Sequence, residues 1–282
     1  MKNILVPTDF SDVSLNALKV AADIAKKDAN TVLTIVHVYD MVYQWSGTWI
    51  GSDSGSLLVN KEETARIQKE LQEKMRELIQ SDFLKGIKLH TLILADTDIH
   101  EITEHEKVGH QDLVVMGTHG VKGIKEVFIG SNAEKFIRHS SIPVLAVKEY
   151  NKTAHFENMV FASDFSDDAV ENFDKIKNLA RLFGSHIFLV KVITPINFED
   201  SSVSEAAIDA FIEKTGITNC TRHIYNYISV EEGILKFAHK VNADVIALET
   251  HGRTGISHIV NGSLTEDVAN HATIPVISVK ID

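Results

Sequence analysis

The chain has 282 residues, of which 44% are hydrophobic and 24% charged, proportions typical of a globular protein with about two domains of average size. Its formal net charge of −11 argues against the basic face that nonspecific nucleic-acid binding needs. The single cysteine excludes an intramolecular disulfide, and no apolar run reaches the roughly 20 residues of a membrane span. We therefore expect a cytoplasmic protein without a nucleic-acid or membrane partner.

The first half alternates short apolar runs with amphipathic segments. ILVPT precedes Ser11 and a helical apolar spacing, and TVLTIVHV is a β-branched run. Residues 61–80 form a predicted helix, and KLHTLIL, DLVVMG and IPVLAV are predicted strands, with helices expected before and after DLVVMG. Continuous apolar strands indicate a parallel sheet covered by helices on both faces. The apolar stripe of the 61–80 helix consists of Ile67, Leu71, Met75 and Leu78.

The second half repeats the first. NILVPTDFSD, from residue 3, matches NMVFASDFSD, from residue 158, DLVVMGTHG matches DVIALETHG, and SIPVLAVK matches TIPVISVK. We predict two α/β domains, residues 1–150 and 151–282, each a doubly wound parallel sheet. The second copy is shorter mainly because it lacks a counterpart of residues 40–60. Ligands of such folds bind at the carboxyl ends of the strands.

Two further segments contain residues that could suggest a metal site or a ligand-binding lid. His100 and His105 are five residues apart, so on a helix their rings would diverge by about 140°, and no metal site is predicted. The insertion carries Trp45 and Trp49, which either pack on the domain or a subunit contact or belong to a hinged lid over a ligand. No P-loop, Ser-His-Asp order or carboxylate pair is present, so no catalytic residue is assigned.

A glycine pattern follows the DLVVMG strand. GTHGVKGIKEVFIGS spans residues 117–131 and ends where a helix is expected to begin. Glycines let backbone N–H groups approach an anion closely, and a helix N-terminus favours negative charge. Ser131 with Glu134 also forms a capping box, as does Ser263 with Glu266, and a capping box needs no ligand. Asp9, at another strand end, is either a turn residue or an acceptor for a base or ribose.

PTDFS, HVYD, IPVLAV and the pattern G-x₂-G-x₉-G-[S/T] together resemble the universal stress protein family, across essentially the whole chain as a tandem pair. The resemblance implies two Rossmann-like, adenine-nucleotide alpha-hydrolase-like domains. It also implies that the first repeat binds an adenine nucleotide, commonly ATP, with or without Mg²⁺. The implied contacts are Pro7, Thr8, Asp9 and Val38 for adenine and its ribose edge, Met116, Gly117 and Gly120 along the ribose and phosphate path, and Gly130, Ser131 and Asn132 for phosphate oxygens.

The resemblance implies a nucleotide-responsive regulator of stress resilience, whose downstream protein partner the sequence does not name. Two alternatives stay open. One is a slow ATPase or nucleotide-dependent transferase, because the same broad fold serves adenylating enzymes. The other is a nucleotide-free interaction module whose loops keep only the family's shape.

The second repeat departs from the pattern at Glu249, which stands where the first repeat has Gly117. We expect its bulk and negative charge, placed beside a polyphosphate, to weaken nucleotide binding there. The final strands, within residues 142–148 and 274–280, are apolar and would leave open sheet edges. By the family resemblance they should pair antiparallel, as an intramolecular pseudo-dimer. A homodimer through other surfaces stays open.

Overall fold

The computed structural model describes residues 1–41, 43–46, 56–118, 131–150, 153–251 and 264–281. The first half contains seven strands and three helices: β1 (Asn3–Pro7), α1 (Asp12–Ala25), β2 (Val32–Tyr39), β3 (Tyr43–Ser46), β4 (Ser56–Val59), α2 (Lys61–Ile79), β5 (Lys88–Ala95), β6 (Leu113–Gly117), α3 (Ser131–His139) and β7 (Val144–Val147). The second half contains five strands and four helices: β8 (Asn158–Ala162), α4 (Asp167–Phe183), β9 (His186–Ile193), α5 (Ser201–Thr215), β10 (Cys220–Asn226), α6 (Val230–Lys240), β11 (Val245–His251), α7 (Leu264–His271) and β12 (Val276–Ile281). These counts refer to the described residues.

Ten of the strands form one sheet in the order β10-β9-β8-β11-β12-β7-β6-β1-β2-β5. Within this sheet the strands of each half are parallel and doubly wound, with β1 next to β6 and β8 next to β11, so the predicted α/β class is confirmed. The halves meet where β7 pairs antiparallel with β12, with Leu145 opposite Ile277. This is the pairing of final strands expected for an intramolecular pseudo-dimer.

The apolar core is continuous across that central pair. Leu145 and Ile277 belong to the apolar cluster on one face of the sheet, whereas Ala146 and Val276 belong to the cluster on the other face. Each cluster draws residues from both halves. Separating the repeats would therefore expose apolar surface on both faces at once.

Two local features differ from expectation. The segment before β6 is a short 3₁₀-helix, Ile99–Glu104, and not the α-helix that we predicted, whereas its counterpart in the second half is the α-helix α6. Ile102 and Val108 are the buried apolar residues here, and their spacing of six positions would place them about 120° apart around an α-helix, so they do not form one apolar stripe. Within the insertion, β3 and β4 pair antiparallel as a separate ribbon. The side chain of Trp45 and all of Trp49 lie outside the described residues.

Candidate functional site

The predicted site of the first repeat is the crevice where β1 and β6 end side by side. The chain leaves β1 towards β2, whereas β6 continues to β7 on the other side, so the β1–β6 boundary is the topological switch point. Pro7 lies opposite Val36 of β2, and Gly117 lies opposite Val147 of β7. Val38 projects from β2 two residues beyond that register and is half-buried. The structure therefore brings Pro7–Asp9, Val38 and Met116–Gly117 to one edge of the sheet.

Thr8 builds the turn into α1. It is buried, and its Oγ1 lies 3.0 Å from Ser14 Oγ and accepts a hydrogen bond from Phe10 N at 3.1 Å. Its carbonyl oxygen lies 2.7 Å from His37 Nδ1. Side chain and carbonyl are both engaged within the protein, so Thr8 shapes the crevice chiefly through its backbone.

Asp9 is the exposed acid at the mouth of the crevice. Its Oδ1 accepts hydrogen bonds from Ser11 N at 3.0 Å and from Ser11 Oγ at 2.5 Å. Partial burial would raise the pKa of Asp9, but the hydrogen bonds from Ser11 outweigh it and hold that pKa below its ordinary value. Asp9 is therefore a carboxylate at neutral pH and can accept further hydrogen bonds.

The same turn occurs in both repeats. The residue after Asp9, Phe10, has φ 63°, and the residue after Asp164, Phe165, has φ 61°. Left-handed backbone at a bulky residue is costly and persists only when the surrounding structure imposes it. In both repeats the turn therefore directs the strand end in the same way.

Gly117 is required by packing within the protein. A Cβ at this position would lie 2.6 Å from the carbonyl oxygen of Val13 and 2.8 Å from its Cγ1, distances that no real side chain tolerates. The first turn of α1 can lie against the end of β6 only because residue 117 has no side chain. Met116, one residue earlier, is buried on the opposite face of the sheet. From the sequence we expected Gly117 to contact a ligand, whereas in the structure it packs against Val13 of α1.

The phosphate-binding half of the predicted site is described only in part. Gly120 and Gly130 lie outside the described residues. Ser131 and Asn132 form the start of α3, as the sequence predicts, but their side chains also lie outside the described part of the chain. The roles of these four residues stay predictions: Gly120 along the ribose and phosphate path, and the other three at phosphate oxygens.

In the second repeat Glu249 lies at the end of β11 and is largely buried. Its Oε2 accepts a hydrogen bond from Ser163 Oγ at 3.0 Å, and its Oε1 is completely buried without a hydrogen-bond partner. Burial raises the pKa of Glu249 to about 7, and the neighbouring carboxylates of Asp164 and Asp168 raise it further against the lowering effect of Ser163. The Glu249 side chain is therefore buried against Ser163, near Asp168 in the first turn of α4. We expected an exposed carboxylate with a full negative charge, and the structure corrects that expectation.

Glu249 replaces a contact that the second repeat lacks. In the first repeat the strand-end hydroxyl of Thr8 pairs with Ser14. In the second repeat the counterpart of Ser14 is Ala169, which has no hydroxyl. Ser163, the counterpart of Thr8, donates its hydrogen bond to Glu249 instead. The sequence contains both differences between the repeats, glutamate for glycine at 249 and alanine for serine at 169. Only the structure shows that the first supplies the hydrogen-bond partner that the second removes.

The helices that follow the two glycine stretches are joined by an ion pair. Arg138 of α3 donates to both carboxylate oxygens of Glu266 in α7, with Nε to Oε1 at 3.0 Å and Nη2 to Oε2 at 2.9 Å. Arg138 also bonds Glu134 of its own helix. The Glu266 side chain is only 6% exposed, so this two-bond geometry compensates its burial. The carboxylate assigned to a capping box therefore contacts the other repeat.

Comparison with known proteins decides the family. A family model for the universal stress protein family matches residues 1–148 and again residues 155–280. The chain belongs to the universal stress protein family. A universal stress protein of Methanocaldococcus jannaschii is 36% identical over 152 residues, which cover 54% of this chain and 84% of that protein. One of Synechocystis is 21% identical over 290 residues, or 99% of both chains.

Solved structures show the same fold along the whole chain. The crystal structure of a universal stress protein from Archaeoglobus fulgidus covers 99% of this chain and 98% of its own, with a TM-score of 0.76 and 20% identity. This universal stress protein thus shares its tandem architecture with a solved relative. Within its described residues, no helix is long and apolar enough to cross a membrane. No group of three or more metal-ligating side chains occurs in that part of the chain either.

Proposed function

We propose that this universal stress protein binds an adenine nucleotide, ATP above all, in its first repeat, and acts in the cytoplasm as a nucleotide-responsive regulator. The observation that carries the proposal is the unbroken G-x₂-G-x₉-G-S pattern, which begins at the switch point where the structure gathers Pro7, Asp9 and Gly117. The start of α3 at Ser131, next to the last glycine, would favour phosphate.

The second repeat would hold nucleotide weakly or not at all. Glu249 stands at the position where the first repeat has Gly117, and its carboxyl group accepts a hydrogen bond from Ser163 in the turn at the strand end. In the turn before α4, Ser166 Oγ is buried without a hydrogen-bond partner. In the first repeat the equivalent Ser11 Oγ caps α1 by accepting a hydrogen bond from Ser14 N. The two turns therefore differ where the nucleotide would sit, and this supports a stoichiometry near one nucleotide per chain.

The direct test is to identify what the purified protein carries and what it binds. Mass spectrometry of released ligand should find an adenine nucleotide, and isothermal titration with ATP, with and without Mg²⁺, should give about one site per chain. Two equal sites would contradict the asymmetry, and no binding of any adenine nucleotide would favour the interaction module.

A pair of matched variants locates the site. Gly130→Asp would place a carboxylate beside the start of α3, and we expect ATP affinity to fall at least about tenfold, or 1.4 kcal/mol. Gly262→Asp makes the same change at the counterpart position of the second repeat and should leave affinity unchanged. Equal loss in both variants, or in neither, would place the nucleotide elsewhere. Steady-state phosphate release, with Gly130→Asp as the control, separates a binder from a slow ATPase.

The cause of the asymmetry can be tested by restoring the first-repeat arrangement. Glu249→Gly removes the acid but leaves Ser163 without its partner, whereas Glu249→Gly combined with Ala169→Ser supplies a hydroxyl in its place. We expect the combined variant to bind a second ATP more tightly than either single variant. A second site that fails to appear would show that other differences disable this repeat.

A further inference from the structure

A cavity of about 540 Å³ lies outside the carboxyl ends of β2 and β5. It is separate from the nucleotide crevice, because β5 is the edge strand and β2 stands between it and the β1–β6 switch point. Of the residues assigned to the nucleotide, none of the six that lie wholly within the described part of the chain lines it. Its volume falls in the range of small-molecule sites, about 300–1,000 Å³.

The wall of the cavity is cationic in a chain whose net charge is −11. Lys61, His105 and Lys107 line it, and no carboxylate does so among the described residues. Neither lysine makes an ion pair with a described residue. The backbone N–H of Lys107 donates to His105 Nδ1 at 3.2 Å, so the neutral ring carries its proton on Nε2 and is a donor there. The cavity thus offers donors and positive charge.

The helix that forms one side of the cavity presents further polar groups. Lys61, Thr64 and Gln68 follow one another on a single face of α2 and all line the cavity. Thr64 Oγ1 is completely buried and has no hydrogen-bond partner. Buried hydroxyls nearly always have a partner, so Thr64 Oγ1 is a polar group of the wall that the described residues leave unsatisfied.

Apolar side chains supply the remaining surface. Ile93 and Leu94 of β5 line the cavity together with Met41 and Tyr39. Cations and donors alone would suit inorganic phosphate. The combination with an apolar wall suits an anion attached to an apolar body, because that body would leave water while the charge is paired.

We infer that this cavity binds a small organic anion, whose phosphate or carboxylate is held by Lys61, His105 and Lys107 and whose apolar body lies against Tyr39 and Ile93. It is a second ligand site of the first repeat, independent of the nucleotide crevice. Because Tyr39 follows Val38 on the same strand, an occupant would adjoin the predicted adenine contact.

The test uses the full-length protein and four simple probes: phenyl phosphate, benzoate, inorganic phosphate and phenol. Titration calorimetry and saturation-transfer NMR should show one or both aromatic anions binding more tightly than inorganic phosphate or phenol. The aromatic anion with the higher affinity identifies the charged group. Wild-type protein that binds neither aromatic anion would overturn the inference.

Variants locate the binding. Lys61→Gln with Lys107→Gln should weaken binding of the preferred anion at least about tenfold, and Thr64→Val should weaken it several-fold. Lys26→Gln with Lys88→Gln, which changes charge equally at exposed positions at the amino ends of the strands, should have no effect. ATP, added at a concentration at which titration shows it to be bound, should not displace the anion. If ATP does not bind, the paired variants alone decide the inference.

Equal binding by the two double variants would overturn the proposed site. Displacement of the anion by ATP would also overturn it, because the cavity would then belong to the nucleotide crevice. Thermal unfolding of each variant confirms that the fold is retained, since all four lysines are surface residues whose ammonium groups are not part of the core.

Discussion

The buried carboxyl of Glu249 should make this protein lose stability as the pH rises through neutrality. Burial raises its pKa from an ordinary value of 4.5 to about 7. Below pH 4.5 the group is protonated in both the folded and the unfolded chain, so it costs nothing. Between pH 4.5 and 7 the unfolded chain ionises first, and above pH 7 the folded state carries the whole penalty. At about 1.4 kcal/mol per pH unit the penalty is about 3 kcal/mol.

Glu249→Gln removes this penalty, because the amide is neutral and similar in shape. Urea unfolding of the variant and the wild type should give equal free energies near pH 4.5 and a difference of about 3 kcal/mol in favour of the variant at pH 8. Glu213→Gln, at an exposed position of α5, controls for the general effect of one lost charge. A difference between variant and wild type that does not change with pH would refute the reasoning.

Three further predictions concern contacts that the structure identifies. Gly117→Ala should destabilise the first repeat by about 2 kcal/mol or more, because the new Cβ meets the backbone of α1; an unchanged melting temperature would contradict it. Ile277→Lys, opposite Leu145 in the central strand pair, should lower the unfolding transitions of both repeats, and hydrogen exchange that rises only in the second repeat would refute the pairing. Arg138→Met should cost about 3 kcal/mol at pH 7, because Glu266 then stays buried without its ion pair to Arg138; a second substitution, Glu266→Gln, should recover part of that loss, and additive losses would argue against the ion pair.

The parts of the site that the sequence predicted are those that depend on strand ends. The end of an apolar run locates the carboxyl edge of a strand, and parallel pairing brings several such edges together, so Pro7, Asp9, Val38 and Gly117 could be placed near one another without coordinates. The antiparallel pairing of β7 with β12 was expected from the family resemblance, and the structure confirms it. The placement of Gly120 along the ribose and phosphate path and of Gly130 at phosphate oxygens stays a prediction, since both lie outside the described residues.

The sequence by itself determined the repeated unit, the strand and helix order and the loss of the glycine at position 249, because these depend on local pattern and chain order. Only the tertiary structure decided what each position faces. Gly117 meets Val13, and Glu249 turns inward to Ser163, because a helix start packs against a strand far away in the chain. Arg138 reaches Glu266 for the same reason. Side-chain partners at such a distance are set by how the elements pack in three dimensions, and sequence spacing does not contain that information.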